Sequence, residues 1–233
     1  MSSHYYQLPQ GRVAALDDDC DFPPLENALR EPNGLIAIGG ALTTARLLAA
    51  YKQGIFPWFS AGEPVMWWSP NPRMVLFPNE LNISTSLKKT LKTHDINKIF
   101  ETRMDTAFQA VITACSLVPR PGQSGTWITP EIIHAYCELH KIGHAISSEC
   151  WLNGELVGGC YGVIIGTMFY GESMFHTQPN ASKIAFVNLV QHLKKLNVGM
   201  IDCQMNTPLL ASFGGREILR KEFMQTLFKL VNC

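Results

Sequence analysis

Asp202 and Gln204 stand two positions apart in the short apolar run Met200-Ile-Asp-Cys-Gln204. If that run is a strand, alternation sends both polar side chains to one face and Cys203 to the other. A buried carboxylate beside a carboxamide is costly unless each satisfies the other or a ligand. Asp202 can accept from the Gln204 NH2, which fixes the amide and enriches its oxygen. A second acid, Glu172, lies in Tyr170-Gly-Glu-Ser-Met-Phe175, where its apolar flanks turn it toward a cleft. Chemistry built from these groups needs no metal, no cofactor and no cysteine nucleophile.

Two other clusters compete for notice. His134, Cys137, His140 and His144 have helical spacing, but Gly143 ends the helix before His144 and spoils a metal geometry. Gly39-Gly40 precedes a helix yet lacks the lysine and length of a phosphate loop, so it reads as a turn.

The elements that must position Asp202 and Gln204 follow from local signals. A helix-like amphipathic stretch over 180–196 leads into a strand over 200–204. Before it, residues 144–152 and 155–163 flank Asn153-Gly154, a strong hairpin signal, and a third strand covers 167–175. Thr129 caps a helix over 130–141 that opens with Pro130. Further helices are expected over 45–51, 84–92, 106–116 and 221–230, and strands over 35–40 and 74–77. Pro70 and Pro72 stiffen a connector, which predicts a small N-terminal α/β domain over residues 1–72 and a second domain over 73–233. The second reads as an α+β layer fold with a mixed, mostly antiparallel sheet.

Composition bounds the rest. The chain has 233 residues, 46% hydrophobic and 16% charged, as expected of a globular protein with a large core. Lys plus Arg equals Asp plus Glu at 19 each, so any polyanion contact must come from a local patch. Lys88, Lys89 and Lys92, with Lys98 nearby, form one, although a solvated helix face is the plainer reading. Seven cysteines without a CxxC pair point to reduced thiols in the cytoplasm. The start Met1-Ser-Ser-His lacks a basic-then-apolar leader, and the apolar runs are too short to span a bilayer.

Glu31-Pro-Asn-Gly-Leu, Gly54-Ile-Phe-Pro-Trp-Phe, Trp67-Trp-Ser-Pro, Gly125-Thr-Trp-Ile-Thr, Gly171-Glu-Ser-Met-Phe, Asn180-Ala-Ser-Lys and Ile201-Asp-Cys-Gln occur in that order. Together they resemble the leucyl/phenylalanyl-tRNA–protein transferases, over roughly residues 22–220. The resemblance implies a C-terminal domain of the acetyltransferase-like (GNAT) fold. It implies transfer of Leu or Phe, less readily Met, from aminoacyl-tRNA to the N-terminal α-amine of proteins beginning with Arg or Lys, in N-end rule degradation. A monomer with no membrane association is expected. The chain departs from the family at Leu209-Leu210, where histidine-leucine is usual, at Ser212-Phe-Gly-Gly215 and at Ile218-Leu-Arg220.

Under that resemblance Asp202, Gln204 and Glu172 are the catalytic candidates. Gln204 would accept from the attacking amine while Asp202 holds its amide, and Glu172 would meet the cationic N-terminal residue or the amine. Tyr51, Trp58, Trp127 and Tyr136 would line the site of the tRNA's terminal adenosine, stacking on exposed bases. Phe169, Met174, Ile201 and Met205 would wall the pocket for the aminoacyl side chain, though each also reads as ordinary core. Lys88, Lys89 and Lys92 would clamp the tRNA backbone without reading sequence. Two rivals remain: a CoA-dependent N-acetyltransferase, and a non-catalytic tRNA- or degron-binding adaptor. The first needs a glycine-rich pyrophosphate loop that His176-Thr-Gln-Pro-Asn-Ala-Ser-Lys183 does not supply.

Overall fold

The computed structural model describes residues 4–17, 21–97, 99–118 and 126–232, so Gly125 of the resemblance motifs and Lys98 lie outside the described residues. Its strands fall into two sheets. The first holds β1 (Tyr5–Leu8), β2 (Gly11–Leu16), β3 (Leu35–Gly39), β4 (Phe56–Pro57) and β5 (Met66–Trp68), in the order β1-β2-β3-β5-β4. Helix α1 (Thr44–Lys52) joins β3 to β4, and the Thr43 side chain caps it by accepting from the Arg46 N–H.

The second sheet is built from β6 (Arg73–Leu76), β7 (Glu101–Met104), β8 (Ala145–Leu152), β9 (Glu155–Ile165), β10 (Met168–His176), β11 (Met200–Gln204) and β12 (Arg216–Ile218). Its order is β12-β6-β11-β10-β9-β8-β7, and only β10 and β11 run parallel. The expected mixed, mostly antiparallel α+β arrangement is therefore present. Helices α2 (Thr85–Asn97), α3 (Phe108–Ser116), α4 (Pro130–Lys141), α5 (Ala181–Lys195), α6 (Pro208–Ser212) and α7 (Arg220–Val231), with short 3-10 turns at Leu25–Asn27 and Pro78–Glu80, complete the described elements.

Local chemistry accounts for the parts that hold the site. At the β8–β9 hairpin Asn153 and Gly154 have φ of 51° and 82°, the pair of left-handed residues that a type I′ turn demands. Helix α5 buries Ala181, Ile184, Ala185, Leu189 and Leu193 along one stripe and lays it on the sheet. Its approach to β9 requires Gly158, where a Cβ would lie 2.6 Å from the Ala181 backbone.

The sheet thus separates two cores. Phe169 and Ile201 point toward α5 with Phe186 and Leu189. Met168, Tyr170 and Met200 point the other way, where α1, α3, α4 and α7 supply Tyr51, Ile112, Tyr136 and Phe223. Among the described residues no helix is long and apolar enough to cross a membrane.

Candidate active site

β10 and β11 pair through Met168↔Met200, Phe169↔Ile201 and Tyr170↔Asp202, and the pairing ends there. Just beyond, each strand breaks step with its antiparallel neighbour: β10 between Gly171 and Ser173, β11 between Asp202 and Gln204. Bulges re-aim side chains and open a sheet locally. A cavity of about 600 Å³ opens at this parting, lined by both strands, by Trp58 and Trp127, by Phe186 and Leu189 of α5, and by the segment 205–210. Glu172 is the one charged side chain among the described residues that line it.

The geometry of the acid–amide pair differs from the sequence expectation. Asp202 is fully buried and absent from the cavity lining. Both its oxygens are taken by Arg73, with Nε to Oδ1 at 2.8 Å and Nη2 to Oδ2 at 2.7 Å. Oδ1 also accepts the backbone N–H of Gln204 at 2.8 Å, not its side-chain amide. The reason is local: Gln204 has φ of 62°, so strict alternation ends at Asp202 and the two side chains part company.

The Gln204 amide goes to the other acid. Its Nε2 donates to Glu172 Oε1 at 3.2 Å. Oε1 also receives the Tyr51 hydroxyl at 2.6 Å, while Oε2 has only a long contact from the Tyr136 hydroxyl at 3.3 Å. Tyr51 and Tyr136 hydroxyls also touch each other. Oε2 is accordingly the oxygen with capacity to spare.

Burial pushes the Glu172 carboxyl up to about 7; the Asp202 charge adds to this, and bonds from Tyr51, Tyr136 and Gln204 oppose it. Burial likewise holds both tyrosine hydroxyls well above their usual range, so they stay neutral donors.

Tyr51 and Tyr136, expected beside the terminal adenosine, are 0% exposed. Their rings are core: Tyr51 lies 4.7 Å from Tyr170 and Tyr136 lies 6.0 Å from Tyr161, between centroids. Neither residue is among those that line the cavity, and their hydroxyls meet it through Glu172. Trp58, half-buried, and Trp127 do line the cavity. So do Phe169, Met174, Ile201 and Met205, although Met205 is 54% exposed and belongs to the rim. Lys88, Lys89 and Lys92 are exposed on α2, away from the lining.

Sequence reasoning passed over Arg73, the Tyr51–Tyr136 support and the wall residues Cys160, Phe186 and Leu189. A lone arginine opening the apolar run Arg73-Met-Val-Leu76 was the available signal for the first. Leu209, one of the positions where the chain departs from the resemblance, also lines the cavity. Of the two histidines at the helix end, His140 pairs with Asp105 at 3.0 Å, and His144 Nδ1 meets the Ile164 carbonyl at 3.1 Å.

Two family models match this chain: leucyl/phenylalanyl-tRNA protein transferase over residues 75–228, and the N-terminal domain of the same family over residues 40–71. The leucyl/phenylalanyl-tRNA–protein transferase of Chromobacterium violaceum is 58% identical over 206 residues, covering 88% of this chain and 86% of that one. That of Nitrosomonas eutropha is 56% identical over 220 residues, covering 94% and 92%. Among solved structures, the chain is similar to the C-terminal domain of a putative lysylphosphatidylglycerol synthetase from Agrobacterium fabrum. That likeness has a TM-score of 0.46 at 12% identity and covers 92% of this chain and 78% of that one.

Fold and relatives together define the class first, an α+β enzyme of the aminoacyltransferase kind. Its cavity is walled mostly by apolar residues, with Glu172 and Gln204 among its polar groups. More narrowly, the chain belongs to the leucyl/phenylalanyl-tRNA–protein transferase family.

Proposed function

We propose that this chain moves Leu or Phe, less readily Met, from aminoacyl-tRNA to the N-terminal α-amine of proteins that begin with Arg or Lys, feeding N-end rule degradation. The observation that carries the reading is the Glu172–Gln204 contact on the floor of the apolar cavity. The same reading takes residues 1–72 and 73–233 as two domains, the second acetyltransferase-like, of a cytoplasmic monomer.

The donor is an ester and the nucleophile an amine whose free pKa is about 7.7–8.0. Because Gln204 gives its Nε2 to Glu172, its carboxamide oxygen is turned to accept from the amine. Glu172, titrating near neutrality, takes the proton that the amine sheds as its nitrogen bonds to the ester carbonyl carbon. The C–O bond to the tRNA 3′-oxygen then breaks, and the proton passes from Glu172 to that oxygen. The carboxylate ends as it began. Holding the two reactants in line supplies much of the barrier reduction, on the order of 7–11 kcal/mol in favourable cases.

The carboxylate of Glu172 in the lining also suits a peptide that begins with a cation. Phe169, Met174 and Ile201 form the wall for the Leu or Phe side chain, with Met205 at the rim; Trp58 and Trp127 receive the 3′ end; Lys88, Lys89 and Lys92 hold the tRNA backbone.

The test is transfer of labelled leucine from charged tRNA to peptides that differ only in their first residue. Transfer to Arg- and Lys-starting peptides, and not to a Met-starting one, is expected. Binding of charged tRNA without transfer would turn the reading into that of an adaptor, and transfer indifferent to the first residue would remove the acceptor assignment.

A further inference from the structure

We propose that Arg73 is a positioning residue of the transfer reaction, acting through Asp202 to hold the backbone turn that brings Gln204 to Glu172. This rests on the reading of Gln204 and Glu172 given above.

Arg73 opens β6 and is 1% exposed. Its fork grips both oxygens of the fully buried Asp202, the bidentate geometry that fixes a carboxylate's rotation. The guanidinium carbon lies 4.7 Å from the centre of the Phe56 ring of β4 and 4.8 Å from that of Phe223 of α7. Two aromatic faces on the guanidinium leave it one direction in which to act. Nη1 has no hydrogen-bond partner among the described residues, so the fork toward Asp202 is where the group's bonding is concentrated.

A buried ion pair is a poor device for stability, since well-packed apolar residues of equal volume often serve as well or better. This one does something that apolar residues cannot. The Asp202 oxygen that Arg73 Nε holds is the same oxygen that accepts the Gln204 N–H. That bond closes a turn in which Gln204 sits at φ of 62°, a conformation that a residue with a long side chain keeps only when its surroundings over-determine it. Downstream of the turn, the Gln204 amide reaches Glu172. The line of dependence therefore runs from Arg73 to Asp202, to the Gln204 backbone, and only then to the cavity.

The experiment compares three variants for kcat, for the KM of charged tRNA and for the melting transition. Arg73→Lys keeps the charge but grips one oxygen at a time, and a roughly tenfold fall in kcat with KM within twofold is expected. Arg73→Met with Asp202→Leu removes the pair without stranding a charge, and kcat is expected to fall at least 100-fold with KM again little changed. Arg73→Met with Asp202→Asn restores an acceptor for the Gln204 N–H, and is expected to recover at least tenfold of that loss.

Wild-type kcat in Arg73→Lys overturns the proposal. So do equal kcat values in the two double variants at equal melting temperature, because a purely structural pair would not distinguish leucine from asparagine at 202. Should the doubles not melt cooperatively, Arg73→Lys decides alone. Glu172→Gln and Gln204→Ala, measured alongside, separate the two ideas: full activity in both would show that the underlying reading had failed rather than the role of Arg73.

Discussion

Gln204 donates its side-chain amide to Glu172 across 3.2 Å, joining the ends of the two parallel strands where they part. The acid that the amide meets is therefore on the neighbouring strand, not two residues back on its own. Asp202, the nearer acid in sequence, is spent on Arg73 and on a backbone N–H. The polar floor of the cavity is a product of two bulges that face each other, and the following outcomes depend on it.

Transfer should depend on the ionisation of Glu172. Its carboxyl is raised from 4.5 to about 7, chiefly by burial. As a base it must be ionised, so kcat/KM should rise with an apparent pKa of about 7 on the acid side, and Glu172→Gln should remove that limb. A loss of roughly 10²–10⁴-fold is expected of a general base. The stability sign is opposite. A carboxyl raised in the folded state favours folding below its unfolded pKa, and that contribution is lost as pH climbs through about 7. Glu172→Gln should then melt higher than wild type above pH 7. A pH-independent difference in melting temperature would contradict this.

Tyr51 and Tyr136 should tune that limb. Each hydroxyl favours the ionised carboxylate, Tyr51 more than Tyr136. Tyr51→Phe should move the acid limb of the pH–rate profile to higher pH, and Tyr136→Phe should move it less. An unmoved limb in both variants would show that the tyrosines support the core alone.

Turnover and donor binding should separate at the two ends of the cavity. Gln204→Ala should lower kcat at least about 100-fold, no less than losing the Arg73–Asp202 pair that positions it, with the KM for charged tRNA nearly unchanged, because the lost contact orients the amine. Trp127→Ala should raise that KM more than it lowers kcat, since stacking on one base is worth roughly 1–3 kcal/mol. Steady-state kinetics with both substrates varied would expose any reversal of this pattern.

The three lysines of α2 should show themselves through salt. Each phosphate contact removed lowers the slope of log affinity against log salt by about 0.7–0.9. Replacing Lys88, Lys89 and Lys92 with alanine should flatten the slope by roughly 2–3 without changing which amino acid is transferred. A wild-type slope in the triple variant would return the cluster to a plain solvated face.

Local signals in the sequence read out the elements around the site. Asn153-Gly154 marks its hairpin because only left-handed residues close a two-residue loop with the correct twist. Thr129 and Pro130 mark the start of α4 because the cap and the fixed φ are properties of single residues. The helix before Met200 and the strand that follows it showed in their periodicity. Other elements left no such trace. β12 is three residues long and owes its existence to pairing with β6, and β1 carries Tyr5 and Tyr6 half exposed, without an apolar face to betray it. The expected helix over 84–92 ends later, at Asn97, because α2 is mostly polar and its stop signal is weak.

What the sequence alone offered was a set of candidate groups: an acid in β10 and an amide in β11 from residue type and alternation and, through the family resemblance, aromatic and apolar residues of which several line the cavity. Residue types and period-two alternation are local, and they survive without coordinates. Which acid serves the amide was decided only in three dimensions. Alternation holds while φ stays extended, and at Gln204 it turns left-handed. The carboxylate two residues away was claimed by an arginine 129 positions earlier in the chain, and no local pattern reports so distant a partner.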